Sequence, residues 1–123
     1  MKQLRFSLLF LFCVLITVPA AAKGKTKVIA HRGYWKTEGS AQNSIRSLER
    51  ANEIKVYGSE FDVHLTADNV PVVFHDSKIQ GKHIQTTPYA ELKDLKLPNG
   101  ETLPTLEQYL NRAKELKKAK LIF

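Results

Sequence analysis

The sequence has very little sulfur, and this limits the chemistry that the protein can perform. One of its 123 residues is a cysteine, Cys13, and it lies inside an apolar run near the amino terminus. Because we predict that this run is removed, no thiol remains for a disulfide, a zinc-thiolate site or a thiol nucleophile. Any chemistry must therefore come from histidine, carboxylate, hydroxyl, lysine or arginine side chains.

Long apolar segments are also scarce, and the one present runs from Phe6 to Val18. Lys2 and Arg5 precede it, and small residues ending at Ala22 follow it, which is the order of a secretory signal peptide. The run is short for a membrane span. We predict a signal peptide at residues 1–22 and an exported domain, periplasmic or extracellular, at 23–123, with no stable membrane span after cleavage. An uncleaved anchor is the alternative.

The charge balance is basic, with 19 Lys and Arg against 12 Asp and Glu, a formal net charge of +7. Acidic residues are interspersed with the basic ones and no aromatic platform is visible, so we predict no binding of nucleic acid. The 43% hydrophobic content is that of a globular domain and argues against disorder.

Hydrophobic periodicity predicts alternating strands and helices in the first half of the domain. Residues 27–30 form a β-prone run, and residues 44–54 have apolar positions at helical spacing, with Asn43 or Ser44 as N-cap. Residues 58–66 alternate between apolar and polar, which predicts one strand with a polar face. A three-residue turn leads to a second strand at 70–74, so we expect a hairpin.

The second half is interrupted by glycine and proline between residues 77 and 104, where only a short helix at 89–95 is expected. A Thr-x-x-Gln capping box at 105–108 predicts the start of a helix. The apolar stripe of this helix consists of Leu106, Leu110, Ala113 and Leu116. Its end is basic, with Lys114, Lys117, Lys118 and Lys120, and we interpret these lysines as a solvated face. Residues 121–123 begin another apolar strand, and the chain looks cut there.

Two carboxylates in the first long strand are candidate metal ligands. Glu60 and Asp62 are two positions apart, so both side chains leave the same face of an extended strand. Calcium and magnesium prefer such oxygen ligands. Acids on the solvated face of an amphipathic strand are the competing interpretation.

Two histidines follow apolar β runs and are candidates for proton transfer. His31 is followed by Arg32 and His75 by Asp76. Imidazole titrates near neutrality, and a guanidinium can neutralise phosphate oxygens. Structural or surface histidines are the alternative, which applies more strongly to His83.

Five segments in order resemble the glycerophosphodiester phosphodiesterase family. They are His31-Arg32-Gly33, Asn43-Ser44, Glu60-Phe61-Asp62-Val63 with Thr66 and Asp68, Val73-Phe74-His75-Asp76 and Pro104-Thr105-Leu106-Glu107. The resemblance implies an α/β fold, the N-terminal portion of a TIM (β/α)₈ barrel of the phospholipase C-like type. It also implies a small insertion after the second strand, from about residue 76 to 103.

The resemblance further implies a role for each candidate. His31 and His75 would be the general acid and base, Arg32 would bind the phosphate, and Glu60 and Asp62 would hold a divalent cation, calcium or magnesium. The implied reaction is hydrolysis of a glycerophosphodiester substrate to glycerol 3-phosphate and an alcohol. His64 shares the polar face of the acids and is a candidate supporting partner.

The chain departs from the family pattern in two ways. It has Gln42 where the family usually has a glutamate, which bears on metal affinity and pH dependence. The family's Glu-x-Lys motif, with a third metal carboxylate, would be due near residue 123, so we expect the chain alone to be inactive and not stably folded. A non-catalytic barrel-derived protein and a phospholipase acting on intact lipids are the alternatives, and the sequence does not predict an oligomeric state.

Overall fold

The computed structural model describes residues 24–117 and 120–123, so the predicted signal peptide lies outside the described residues. The strands are β1 (Ile29–Ala30), β2 (Gly58–Glu60), β3 (Val63–Leu65), β4 (Pro71–Val73), β5 (Lys78–Ile79), β6 (Lys82–His83) and β7 (Lys120–Ile122). The helices are α1 (Ile45–Glu53), α2 (Tyr89–Leu92) and α3 (Leu106–Glu115), and a 3₁₀ turn covers Ile84–Thr86.

A parallel sheet in the order β1-β2-β7 forms the framework of the molecule. Ile29 pairs with Gly58, and Gly58 pairs with Lys120. Helix α1 connects the first two strands and α3 precedes the third, as parallel pairing requires. All three strands therefore end at the same edge of the sheet, which we call the carboxyl end.

Both long helices begin as the sequence predicts. The Ser44 hydroxyl accepts a hydrogen bond from the Ser47 amide at 3.0 Å and caps α1. Thr105 and Gln108 form the predicted capping box of α3. The cap residues therefore fix where each helix starts relative to the sheet.

The core between the sheet and the helices is built around aromatic rings. Leu48, Phe61, Val73 and Tyr109 are buried together. The rings of Phe61 and Tyr109 lie 4.9 Å apart between centroids. The predicted apolar stripe of α3 omits Tyr109, although this residue is the one that α3 buries completely.

The prediction of a single strand over residues 58–66 is wrong. The chain leaves the parallel sheet after Glu60, and β3 pairs with β4 in an antiparallel hairpin. The alternation also misleads about burial, because Val63 and Leu65 are exposed. The hairpin itself is confirmed, and its buried residues are Val72 and Val73 on the second strand.

Residues 77–104 are more ordered than their glycine and proline content suggests. They contain the β5–β6 hairpin, the 3₁₀ turn and α2, and they pack with two earlier residues into a second small core. This core consists of Ala41, Val72, Ile79, Ile84, Leu92, Leu97 and Leu103. None of the helices in the described part of the chain has the length and apolar character needed to cross a bilayer.

Candidate active site

The loop after β1 has a backbone that few residue pairs can adopt. Arg32 has φ +59° and Gly33 has φ +76°, both in the left-handed region. A Cβ on Gly33 would lie 2.2 Å from the Ser47 hydroxyl oxygen, so only glycine fits against α1. The Gly33 amide donates to the carbonyls of Ala30 and Glu60, each at 3.2 Å. This loop therefore holds Arg32 at the carboxyl end of β1 and β2.

Arg32 joins three segments that are distant in sequence. Its amide donates to Glu60 Oε2 at 2.8 Å, and its Nη1 donates to Gln42 Oε1 at 2.6 Å. Its Nη2 lies 2.7 Å from His75 Nε2. Because a guanidinium only donates hydrogen bonds, His75 Nε2 is the acceptor in this contact. The positive charge of Arg32 is thus the centre of the cluster.

The hydrogen bonds of His75 fix its tautomer. Nε2 accepts from Arg32, so the proton is on Nδ1, which donates to Asp76 Oδ1 at 2.6 Å. His64 Nε2 donates to the His75 carbonyl at 3.0 Å, which secures the backbone of the same residue. The Nε2 lone pair of His75 therefore points at the guanidinium group of Arg32.

His31 approaches the same cluster from the solvent side. Its side chain is 71% exposed, and its Nε2 lies 3.9 Å from Glu60 Oε2. Glu60 thus lies between the His31 ring and the Arg32 amide. His31 and His75 therefore lie on either side of Arg32 and Glu60.

Asp62 is held by a residue that the sequence did not single out for the site. Asn43 Nδ2 donates to Asp62 Oδ2 at 2.9 Å, and the Asp62 amide donates to Asn43 Oδ1 at 3.2 Å. Asn43 is fully buried, and its own amide donates to the Arg32 carbonyl at 3.0 Å. Local sequence pattern indicates Asn43 only as a candidate N-cap. The family motif Asn43-Ser44 was the one signal that pointed to it.

The carboxylates offer oxygen ligands of the type that a hard divalent cation requires. Glu60 and Asp62 both lie against Arg32, whose Nε is 3.8 Å from Asp62 Oδ2 and is buried without a hydrogen-bond partner. Among residues 24–117 and 120–123, no three His, Cys, Asp or Glu side chains converge as a metal site. The described residues thus fit two of the several oxygen ligands that calcium or magnesium needs.

A cleft of about 380 Å³ opens beside His75. Trp35, Phe74 and Pro98 contribute apolar wall, while Gln42 and Asp76 contribute polar atoms. Lys36 Nζ lies 5.2 Å from the centre of the Trp35 ring at the same cleft. Trp35 therefore lines a cavity next to the histidine.

Behind the site, two buried hydroxyls separate the sheet from α3. Burial raises the pKa of Tyr109, the Ser59 hydroxyl opposes that rise, and the negative charge of Glu60 adds to it. Tyr109 therefore stays protonated through the neutral pH range. It supports the strand that carries Glu60.

The structure brings all five predicted site residues to the carboxyl end of the sheet: His31, Arg32, Glu60, Asp62 and His75. It adds Gln42, Asn43 and Asp76 as their hydrogen-bond partners. His83 is exposed on β6, as the sequence suggests. What each of these residues does in a reaction stays a prediction.

The model of the "Glycerophosphoryl diester phosphodiesterase family" matches residues 31–122. A crystal structure of a glycerophosphodiester phosphodiesterase from Parabacteroides distasonis is 79% identical with a TM-score of 0.80, and the alignment covers 82% of this chain and 42% of that one.

Two more distant relatives have the same family description or a related phosphodiesterase activity in their names. A phosphodiesterase from Oleispira antarctica, solved with the product sn-glycerol-3-phosphate, is 34% identical with a TM-score of 0.62, over 74% of this chain and 41% of that one. A glycerophosphodiester phosphodiesterase from Caldanaerobacter subterraneus is 44% identical over 55 residues, which are 45% of this chain and 22% of that protein. The chain thus spans less than half the length of these relatives. The likenesses confirm the predicted α/β fold, the N-terminal portion of a TIM barrel.

Proposed function

This chain belongs to the glycerophosphoryl diester phosphodiesterase family, and we propose on that basis that the whole protein hydrolyses glycerophosphodiesters to glycerol 3-phosphate and an alcohol. The Oleispira relative binds sn-glycerol-3-phosphate as its product, which supports this choice of substrate. The active site would lie at the carboxyl end of the sheet, where TIM barrels carry their catalytic residues.

One observation carries the proposal: Arg32 contacts both a histidine and a carboxylate-bearing strand from a rigid loop. Its guanidinium hydrogen-bonds His75 and Gln42, while its amide holds Glu60. A phosphate group needs fixed positive charge near its non-bridging oxygens and a proton-transfer group near its ester oxygens. Arg32 and His75 supply these two requirements within one hydrogen bond of each other.

The histidines perform the proton transfers in this mechanism. As a water molecule attacks phosphorus, one imidazole takes its proton. As the P–O bond to the leaving alcohol breaks, the other imidazole gives a proton to the alkoxide oxygen. Asp76 holds the Nδ1 proton of His75, so that Nε2 is the reacting nitrogen.

A divalent cation would add positive charge beside that of Arg32. Glu60 and Asp62 would hold it, with Asn43 fixing one carboxylate and the Arg32 amide the other. When bound, the cation supplies positive charge to the phosphate oxygens. Calcium and magnesium both match the oxygen ligands, and we propose that either can serve.

The cleft beside His75 is proposed to receive the alcohol portion of the substrate. It adjoins Gln42 and His75, and its walls include Trp35 and Phe74. We also keep the proposal that residues 1–22 direct export and are then removed.

The test is an assay of the complete protein for release of glycerol 3-phosphate, with calcium or magnesium and with a chelator. We expect His75→Ala to reduce turnover by at least about a hundredfold, the lower range for a general acid or base. The matched control is His83→Ala on the exposed β6 strand, which should keep full activity. A fully active His75→Ala protein would remove His75 from the mechanism, and hydrolysis of intact phospholipid alone would replace the proposed substrate.

A further inference from the structure

A second charged region lies at the opposite edge of the sheet from the site. The strands begin there, and the loops before β1 and between α1 and β2 lie there too. We call this region the basic face and define it by one list: Lys25, Lys27, Ile54, Lys55, Tyr57 and Lys120. Part of it forms an open cleft of about 480 Å³ between the first two loops.

Two of these lysines converge on one aromatic ring. Lys27 Nζ lies 4.7 Å and Lys120 Nζ 4.8 Å from the centre of the Tyr57 ring. Lys120 Nζ also donates to the Tyr57 hydroxyl at 3.4 Å. These ammonium groups lower the pKa of Tyr57, Lys120 more than Lys27. The local potential at this face is therefore positive.

Nearby carboxylates do not offset that charge. Glu53 ends α1 but pairs with Arg50 and Arg46, and Glu115 ends α3 but pairs with Arg112. In the part of the chain that the structure describes, none of the four lysines of the basic face forms a salt bridge. Lysines at helix ends also favour the helix dipole, but that role does not require them to surround a cleft.

Exposed apolar side chains lie among the lysines. Val28 is 57% exposed and Ile54 is 50% exposed, and both line the cleft with Tyr57. Basic groups mixed with apolar side chains and an amphipathic aromatic ring are the chemistry of a membrane interface. A nucleic acid fits less well, because Lys27 and Lys120 already occupy the one ring that could stack on a base.

We propose that the basic face docks on a bilayer surface rich in anionic lipid headgroups. The occupant follows from charge complementarity, since the face presents four ammonium groups that have no carboxylate partner among the described residues and that surround apolar side chains. Docking in this way turns the carboxyl end of the sheet, with His75 and Arg32, away from the bilayer. A soluble substrate then reaches the site from the water side. The proposal does not depend on the reaction, so a failed hydrolysis assay leaves it standing.

The test is cosedimentation of the complete protein, without its predicted signal peptide, with phosphatidylcholine vesicles that contain or lack phosphatidylglycerol. We expect binding to the anionic vesicles alone, weakened by salt through screening. Since each lysine near an anionic surface contributes about 1 kcal/mol, the variant Lys27→Gln/Lys55→Gln/Lys120→Gln should lose about a hundredfold in partitioning.

Two further variants make the result specific. Lys78→Gln/Lys93→Gln/Lys96→Gln removes the same charge from residues 77–104 and should bind like the unmodified protein. Lys27→Arg/Lys55→Arg/Lys120→Arg keeps the charge and should retain binding, which excludes misfolding as the cause of a loss. Equal loss in the 78/93/96 variant, absence of binding to anionic vesicles, or equally tight competition by duplex DNA would overturn the proposal.

Discussion

Asn43 is the residue on which most of the local geometry of the site depends. It hydrogen-bonds both the carboxylate and the amide of Asp62, and its φ of +58° places it in the left-handed region. Its burial means that loss of the side chain leaves polar atoms of Asp62 without partners, which costs roughly 1–3 kcal/mol.

We expect both Asn43→Ala and Asn43→Gly to weaken cation binding by the complete protein. Glycine tolerates the positive φ and alanine does not, so the Asn43→Ala protein should be less stable than the Asn43→Gly protein by roughly 1 kcal/mol. Isothermal titration with calcium or magnesium measures the first effect, and thermal unfolding measures the second. Unchanged cation affinity in the glycine variant would show that Asn43 does not position Asp62 for a metal.

Asp76 is expected to act through His75 rather than on the substrate. Asp76→Ala removes the acceptor of the Nδ1 proton, so the ring can adopt the other tautomer. We expect kcat to fall about tenfold or more with little change in KM, and Asp76→Asn, which keeps an acceptor oxygen, to recover part of the loss. Asp94→Ala is the matched control on an exposed position. A change confined to KM would contradict a positioning role.

At the residue scale, the sequence predicted which candidate side chains come together better than it predicted the residues that hold them in place. His31, Arg32 and His75 follow strand-like runs, and strand ends are recognisable from apolar runs and from the motif. The supports depend on a loop that returns Asn43 and Gln42 to Arg32, and no local pattern encodes that return. Ser44 satisfied the capping rule, which left Asn43 without an assigned role.

At the scale of elements, glycine determines how closely the loop after β1 approaches α1. Gly33→Ala should lower stability by roughly 1–3 kcal/mol, because the new Cβ meets Ser47 and the positive φ is strained. Gly39→Ala is the control, since Gly39 has φ +71° but nothing within 4 Å of its Cβ position. Thermal unfolding separates the two contributions. Equal destabilisation would mean that strain alone, and not contact with α1, requires glycine at position 33.

Helices α1 and α3 are joined by a carboxylate that gives the fold a pH dependence. Burial alone would raise the pKa of Glu49, but hydrogen bonds from Arg46 and Arg112 hold it below the ordinary value of 4.5. The folded state therefore binds this proton more weakly than the unfolded state. Its stabilising contribution is present above pH 4.5 and is lost as the pH falls through the lower, folded value.

Glu49→Gln should therefore lower the unfolding temperature at neutral pH and flatten its decline in acid. Thermal unfolding across this pH range measures both effects. Glu107→Gln, at an exposed position in the first turn of α3, serves as the control. A decline that is equally steep in the Glu49→Gln protein would show that other groups govern acid unfolding.

Periodicity identified the helices, because caps and apolar spacing are local properties. It failed for residues 58–66, where an unbroken alternation spans two strands in different sheets. Apolar and polar residues alternate with the period of a strand on both sides of Phe61. This alternation does not indicate that the chain changes its neighbouring strand there. Tertiary pairing with β7 and then with β4 decides the break.

At the scale of the whole molecule, the two ends of the sheet differ in charge. The carboxyl end collects Glu60, Asp62 and Asp76 around Arg32, and the amino end carries the basic face. The sequence showed the net charge but not this separation, because it arises only when strand ends from distant positions align. The chain spans 42% of the Parabacteroides structure, so its inactivity when alone stays a prediction.

Cation binding links the site to the stability of the complete protein. Glu60 ends β2 and Asp62 precedes β3, and the two carry like charge; the Arg32 amide donates to Glu60, and the Arg32 guanidinium lies 3.8 Å from Asp62. A divalent cation that binds the folded state alone adds stability that grows with its concentration, about 2.7 kcal/mol at a hundred times Kd. Calcium or magnesium should therefore raise the unfolding temperature, and Glu60→Gln/Asp62→Asn should abolish that rise. The control Asp94→Asn/Glu107→Gln removes the same amount of charge elsewhere, and its unfolding temperature should still rise with the cation. If the Glu60/Asp62 variant responds to the cation as the unmodified protein does, the metal does not bind at these carboxylates.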